Sequence, residues 1–178
     1  MYRSSLLLSA FGLALSAITL TAPAVTQHSI DPHGWGMGIE QDFASNIFDL
    51  QKYSITANYK KGPWLFKLIN RIISMQNWGT EIVTAAEIWR LHPLSAHWTL
   101  QYGINGAYTY LSNPQKMKAG AIQSPWDLAA QAGIAYTYNS HIRLSLTSAL
   151  VQVYNQVTGV KKISFIKAPS LNATYFFN

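Results

Sequence analysis

Charged side chains make up only 11% of this chain, and many of them stand at even spacing inside otherwise apolar segments. Glu40 and Asp42 are two residues apart, and Lys67 and Arg71 are four apart. Even spacing in an extended strand places side chains on one face. We therefore predict an interior network in which opposite charges neutralise one another, because an unpaired buried charge is costly. Its predicted members are Glu40, Asp42, Lys52, Lys67, Arg71, Glu81, Glu87 and Arg143.

Two hairpin registers would bring members of this network together. A hairpin centred on Asn77 places Lys67 opposite Glu87. A hairpin centred on Ile47 would pair Asp42 with Lys52 and Glu40 with Ser54. The structural interpretation is a salt-bridged plug, and the functional alternative is a gated pore or a proton site.

Residues suited to nucleophilic or metal chemistry are sparse. The chain has no cysteine, which excludes disulfides, thiolate metal sites and thiol catalysis. Ser140 and His141 are adjacent in a predicted tight turn, but a serine without a positioned base is not activated. His92 and His97 lack the further ligands that a zinc site needs. We therefore predict no catalytic residue, no bound metal and no cofactor.

Four lysines at the predicted outer loops are candidates for contacts with anionic lipid. Lys116 and Lys118 lie in one loop, and Lys161 and Lys162 lie in another. Ammonium groups bind phosphate oxygens, so these lysines could contact lipopolysaccharide; the alternative is that they only keep the loops soluble. The chain carries a net charge of +6, and because it is rich in aromatic residues and looks exported, we favour a membrane surface over nucleic acid as the partner.

The element that would position such side chains is clearest in the segment 97–111, HWTLQYGINGAYTYL. One face carries aromatic residues, Leu and Ile, and the other carries small or polar residues, which is the period of a β-strand. At about 3.3 Å per residue and a tilt of about 40°, this length covers roughly the 25 Å apolar band of an outer-membrane barrel. We interpret it as a transmembrane strand.

Seven further segments alternate in the same way, which predicts an all-β fold: an eight-stranded antiparallel up-and-down transmembrane β-barrel. They span 33–43, 52–60, 64–75, 80–91, 126–138, 141–155 and 162–177. In the segment 64–75 the apolar spacing and the preceding Pro63 also suit an amphipathic helix. A strand there gives an even strand count and short turns that mostly alternate with longer loops, as in outer-membrane barrels. We expect Tyr154 to face outward, and Pro169 to cost the last strand one ladder bond.

Tryptophan and tyrosine residues fall near the predicted strand ends. They are Trp35, Tyr59, Trp64, Trp98, Trp126 and Tyr138. Amphipathic rings concentrate at both membrane interfaces, so this pattern favours an aromatic belt over a ligand cage.

The N-terminus predicts export. Arg3, the apolar run 6–20 and the sequence Ala22-Pro23-Ala24 have the order of a signal peptide and its cleavage site. A run of about 15 residues falls short of the roughly 20 that a membrane-spanning helix needs. We therefore expect a cleaved signal peptide at 1–24, a periplasmic leader at 25–33, a barrel domain at 34–178, and location in the outer membrane.

The export signal, the alternating segments and the C-terminal sequence Thr174-Tyr175-Phe176-Phe177-Asn178 together resemble the small eight-stranded outer-membrane barrels of the OmpA, OmpX and OmpW type. The resemblance covers 34–178 and departs at Asn178, because family members usually end on an aromatic residue. It implies outer-membrane lipid, lipopolysaccharide and the barrel-assembly machinery as partners.

The lipid A deacylase family looks like the same exported barrel with a His and a Ser two residues apart near the outer leaflet. The corresponding stretch of this chain is Thr147-Ser148-Ala149-Leu150-Val151-Gln152, which contains no histidine. We therefore expect a non-enzymatic protein with a structural or surface-interaction role towards lipopolysaccharide or a host surface. The alternatives are a lipid A-modifying hydrolase or acyltransferase, and a narrow channel for small apolar solutes.

Overall fold

The computed structural model describes residues 31–42, 53–75, 79–112, 126–155, 161–166 and 169–177. Over these ranges the chain forms β1 (Gly34–Asp42), β2 (Tyr53–Lys61), β3 (Trp64–Met75), β4 (Gly79–Pro93), β5 (Trp98–Leu111), β6 (Trp126–Thr137), β7 (Ile142–Asn155), β8 (Lys161–Phe165) and β9 (Ser170–Phe176). Within these ranges no helix is long and apolar enough to cross a membrane. The predicted signal peptide, most of the predicted leader, and Lys52, Lys116 and Lys118 lie outside the described residues.

The strands form one closed antiparallel barrel. Each strand from β1 to β7 pairs with the next along the chain, and β9 pairs with both β7 and β1. Because β8 continues along β7 beyond the end of β9, the two short strands together form the eighth strand of the barrel. The prediction of an all-β, eight-stranded antiparallel barrel is confirmed.

The ambiguous segment Trp64–Met75 is strand β3, paired with β2 on one side and β4 on the other. Burial in its first half has period two, with Leu65, Lys67 and Ile69 buried and Phe66 and Leu68 exposed. The helical alternative is wrong, because a strand between two partners satisfies its backbone groups in both ladders while keeping Lys67 inside.

Polar side chains face the lumen and apolar side chains face outward, the reverse of a soluble protein. On β2 the inward residues Ser54, Thr56, Asn58 and Lys60 are buried, whereas Ile55 between them is 64% exposed. The other strands repeat this arrangement, and their outward faces carry exposed Trp, Tyr, Leu, Ile, Met and Phe residues. Over the described strands the outward face is therefore mostly apolar, and it includes the hydrogen-bonded polar pair Asn70 and Thr84 on β3 and β4.

The two ends of the barrel differ. We call the end with the turns 62–63, 94–97 and 138–141 the short-turn end, and the opposite end the far end. Exposed tryptophans lie at both: Trp35, Trp64 and Trp98 at the short-turn end, and Trp126 at the far end. These rings have the positions that the aromatic-belt interpretation requires.

A bulge at Leu150 corrects one prediction. Ala130 pairs with Val151 while Gln131 pairs with Ala149, so Leu150 is an extra residue in β7. An extra residue reverses the alternation beyond it. Tyr154 therefore shares the inward face of its partner Asp127, and the prediction that it faces outward is wrong.

The eighth strand is broken where Pro169 was expected to weaken it. Strand β8 ends at Phe165, Ile166 follows with a φ of +50°, and the ladder resumes at Ser170. Proline has no backbone N–H to donate, so a continuous ladder is not available through this position.

Candidate functional site: the barrel lumen

A buried ion cluster crosses the middle of the lumen. Lys67 Nζ lies 2.7 Å from a Glu87 carboxylate oxygen and 2.5 Å from a Glu40 carboxylate oxygen. Asn105 donates its side-chain amide to Glu87 at 2.9 Å, and the Trp89 indole N–H donates to Glu87 at 2.8 Å. All five side chains are buried. The cluster has two carboxylates and one ammonium group, and the added donors on Glu87 compensate the second negative charge.

The register that places Lys67 opposite Glu87 agrees with a hairpin centred on Asn77. Glu40 lies opposite Ser54, as a hairpin centred on Ile47 predicts. Glu40 nevertheless reaches Lys67, which stands two strands away on β3. Pairing within single hairpins could not reveal this contact, because it spans the curved inner face of the sheet.

A second ion pair lies nearer the far end. Arg71 Nη1 is 3.5 Å from Asp42 Oδ2, and Ser170 Oγ donates to Asp42 Oδ1 at 2.6 Å. The side chains of Arg71 and Asp42 are 22% and 46% exposed, so water screens this pair. Glu81 lies on the inward row of β4, closer still to the far end, at the position paired with Leu111.

Arg143 lies apart from the other predicted members of the network. Arg143 lies near the short-turn end of β7, and its Nη2 donates a hydrogen bond to the side-chain oxygen of Gln101 at 2.8 Å. The seven described members of the predicted network thus divide into the Lys67 cluster with Glu40 and Glu87, the Arg71–Asp42 pair, Glu81 near the far end and a separate Arg143. Lys161 and Lys162, expected at an outer loop next to the segment 162–177, are the first two residues of strand β8.

An apolar layer lies in the lumen between the Lys67 cluster and the short-turn end. Leu65, Trp89, Leu91 and Phe176 form one buried cluster. A Cβ on Gly36 would lie 3.0 Å from the Phe176 ring, so the glycine makes room for the aromatic side chain. Trp89 lies two residues after Glu87, so alternation alone places it on the inward face, but alternation does not reveal this layer. The available signal was that Trp89 and Phe176 occupy the inward parity of their strands.

A cavity of about 220 Å³ occupies the lumen on the far side of the Lys67 cluster. Glu40 and Glu87 form its floor, and much of its wall consists of alanine, serine and threonine residues. The small side chains leave the space open, whereas Lys67, Trp89 and Phe176 fill the lumen below. The described lumen therefore forms a polar cup on the far side of the Lys67 cluster, with that cluster and the apolar layer below it.

The described histidines lie at the short-turn end. His97 Nδ1 is 2.7 Å from the Thr137 carbonyl oxygen and its ring stacks on Tyr136, while His141 repeats both contacts with Phe176 and Tyr175. Since a carbonyl oxygen only accepts, each Nδ1 carries the proton. The rings thus join neighbouring strands at the turns, whereas Ser148 lies at the middle of β7. No group of acidic residues and histidines in the described ranges could hold a metal ion.

Comparison with protein-family models gives no match for this chain, and comparison with curated proteins gives none either.

Proposed function

We propose that this chain is an outer-membrane β-barrel protein with a plugged lumen, and that it has a structural or surface-interaction role towards lipopolysaccharide. The observation that carries the proposal is the inverted barrel, in which an apolar outer surface surrounds an ion-paired polar interior. Contiguous apolar surface of this extent would associate in water but is stable against lipid chains.

The aromatic rings support the orientation of the barrel across a bilayer. Trp98 packs edge-on against Tyr136 at the short-turn end, with ring centroids 5.0 Å apart, and Arg90 lies over the Trp64 ring at 4.9 Å. Rings with a polar edge and cations that can reach phosphate both favour the headgroup region. By analogy with outer-membrane barrels, in which short turns face the periplasm, the far end would face outward.

The Lys67 cluster and the apolar layer in the lumen favour a non-conducting barrel over the channel alternative. A solute that entered the far-end cavity would meet the Lys67 cluster and then the Trp89 and Phe176 side chains. The lipid A hydrolase alternative would need a base near a nucleophile at the outer end, and the described histidines lie at the other end. We therefore favour a non-enzymatic role.

The decisive experiment expresses the full chain in a Gram-negative host and follows it by membrane fractionation and by gel mobility with and without heating. We expect the protein in the outer-membrane fraction, with faster mobility before heating because the folded barrel resists detergent. Recovery in a soluble fraction, or the same mobility with and without heating, would reject the proposal.

Two further measurements separate the alternatives. Liposomes containing the purified barrel should not leak small solutes, and steady leakage would favour the channel. The mass of lipid A from cells that overproduce the protein should not change, whereas loss of an acyl chain that Ser148→Ala abolishes would favour the hydrolase.

The lipopolysaccharide role is tested with lysines at the two ends. The variant with Lys161→Gln and Lys162→Gln removes positive charge near the far end, and Lys61→Gln removes it near the short-turn end. Binding to lipopolysaccharide micelles should weaken only in the first variant. Equal binding in both would leave the barrel assignment intact and reject these contacts.

A further inference from the structure

Two buried cations, Lys60 and Arg143, lie near one carboxylate at the short-turn end of the lumen. Lys60 Nζ lies 2.5 Å from Asp31 Oδ2 and donates to the Gly62 carbonyl oxygen at 3.1 Å. The Lys60 side chain and Arg143 are each about 2% exposed, whereas the Asp31 side chain is 47% exposed. The Asp31 carboxylate is close enough to attract the Arg143 guanidinium electrostatically. Arg143 is also close enough to repel Lys60. The group therefore carries an excess positive charge away from water.

The Arg143 guanidinium has unused hydrogen-bond donors. Its Nη2 donates to Gln101, but among the described residues neither Nε nor Nη1 has a hydrogen-bond partner. A buried donor on a charged group that lacks an acceptor is strongly disfavoured, so native structures supply water or an anion in such places. An oxyanion satisfies both the excess charge and the free N–H groups, and guanidinium geometry suits it.

Space for a ligand lies beside these cations. A cavity of about 180 Å³ at the short-turn end is lined by Lys60 and Asp31 and by the polar side chains of Ser95, Thr99 and Thr137. A water molecule occupies roughly 30 Å³ in the liquid, so the cavity can hold a small oxyanion with part of its hydration. Arg143 does not itself line this cavity, but Thr137 in the cavity wall pairs with it across β6 and β7.

We propose that this end of the lumen is a binding site for a small oxyanion with a phosphate or carboxylate group, held by Lys60 and Arg143 in competition with Asp31. Asp31 lies just before β1, and its half-exposed side chain can leave Lys60 when an anion arrives. Anion binding is thereby linked to the position of Asp31. The inference goes beyond the proposed function and does not depend on it, since it concerns the lumen alone.

The test titrates inorganic phosphate into the full chain, folded in maltoside detergent, at constant ionic strength set with sodium chloride. Calorimetry should show one phosphate bound per chain. Asp31→Asn should bind phosphate several-fold more tightly because it removes the internal competitor. Arg143→Gln should weaken binding by about tenfold or more, because the free donors of a charged group are lost.

Arg71→Gln is the matched control, since it removes a lumen arginine at the other end of the barrel. Its phosphate affinity should equal that of the unmodified chain. Absence of phosphate binding in both the unmodified chain and Asp31→Asn would overturn the proposal, as would equal affinities in Arg71→Gln and Arg143→Gln. If Arg143→Gln does not fold, the comparison of Asp31→Asn with the unmodified chain decides: tighter binding supports the site, and unchanged binding rejects it. Binding that needs added phospholipid would assign the site to a lipid headgroup and reject a soluble anion.

Discussion

Lys67 is the residue on which the middle of the lumen depends. It is the cation that lies between Glu40 and Glu87, and its Nζ is also 5.8 Å from the centre of the Trp89 ring. Loss of one partner from a buried ion pair leaves an uncompensated charge, which costs more than the pair itself contributes. Removing Lys67 would leave two carboxylates in one buried site.

We expect Lys67→Met to lower the free energy of unfolding by about 3–5 kcal/mol. Adding Glu87→Gln should recover only part of this loss, because Glu40 still carries a charge, and adding Glu40→Gln should recover most of the remainder. Urea unfolding in detergent measures the series. Arg71→Met is the control, with an expected loss of about 0–1 kcal/mol because its pair is partly exposed. Strictly additive losses across the series would contradict the coupling of the three residues.

At the scale of the element, β5 shows how one alternating strand separates the outer surface of the barrel from the lumen. Ile104 faces outward from the middle of the strand and Tyr110 from its far end, and both side chains are exposed. Gln101 and Asn105 on the opposite face are buried in the lumen. In a membrane, the loss of folding free energy caused by an outward-facing charge should depend on how deep in the bilayer its position on this strand lies.

We expect Ile104→Arg to cost about 2–4 kcal/mol and Tyr110→Arg about 0–1 kcal/mol, because the guanidinium at the bilayer centre is farthest from water. Unfolding of the two variants in lipid vesicles measures the difference. In detergent micelles, which adapt around the charge, the difference should shrink. Equal costs in vesicles would mean that the strand does not cross the bilayer.

The bulge in β7 predicts that deletion of Leu150 and deletion of Leu146 have different effects on folding. Leu146 and Leu150 are the same residue type, both face outward, and both are similarly exposed. Deleting Leu150 removes the extra residue and leaves regular alternation with β6, so the barrel should still fold. Deleting Leu146 shifts a regular ladder by one residue and turns the buried Thr147 outward, so folding should fail.

Gel mobility before and after heating would show which deletion variant folds. The result that would count against the bulge assignment is failure of both deletions, or tolerance of both.

At the scale of the whole molecule, closure lets the barrel keep its polar residues inside. Pairing of β1 with β9 removes the free edges of the sheet over Gly36–Asp42. Side chains such as Trp89 and Phe176 then fill part of the enclosed space towards the short-turn end. A sheet with these residues but without closure would expose its buried charges.

We expect the exported protein to begin at or near Val25 when it is isolated from the outer membrane. The reason is the Ala22-Pro23-Ala24 motif after an apolar run too short to span a bilayer. N-terminal sequencing of the folded, outer-membrane form provides the measurement. Isolation of the uncleaved chain with the inner membrane would contradict both the cleavage site and the location.

The sequence by itself determined the barrel to a large extent, because alternation is a local property. A residue two positions along a strand faces the same side whatever the rest of the chain does, so Lys67, Glu87, Gln101 and Asn105 could be placed inside before any pairing was known. Hairpin symmetry about Asn77 then predicted the register of β3 and β4, since consecutive strands pair from their connection outward.

Only the tertiary structure decided which inward side chains meet across the lumen. The contact of Glu40 with Lys67, the isolation of Arg143 from the carboxylates of the Lys67 cluster, and the union of Trp89 with Phe176 all depend on curvature and closure, which join residues far apart in sequence. The reversal at Tyr154 depends on the bulge at Leu150, where the fit to β6 overrides the local alternation. Such contacts are cooperative properties of the closed sheet and leave no periodic signal in the chain.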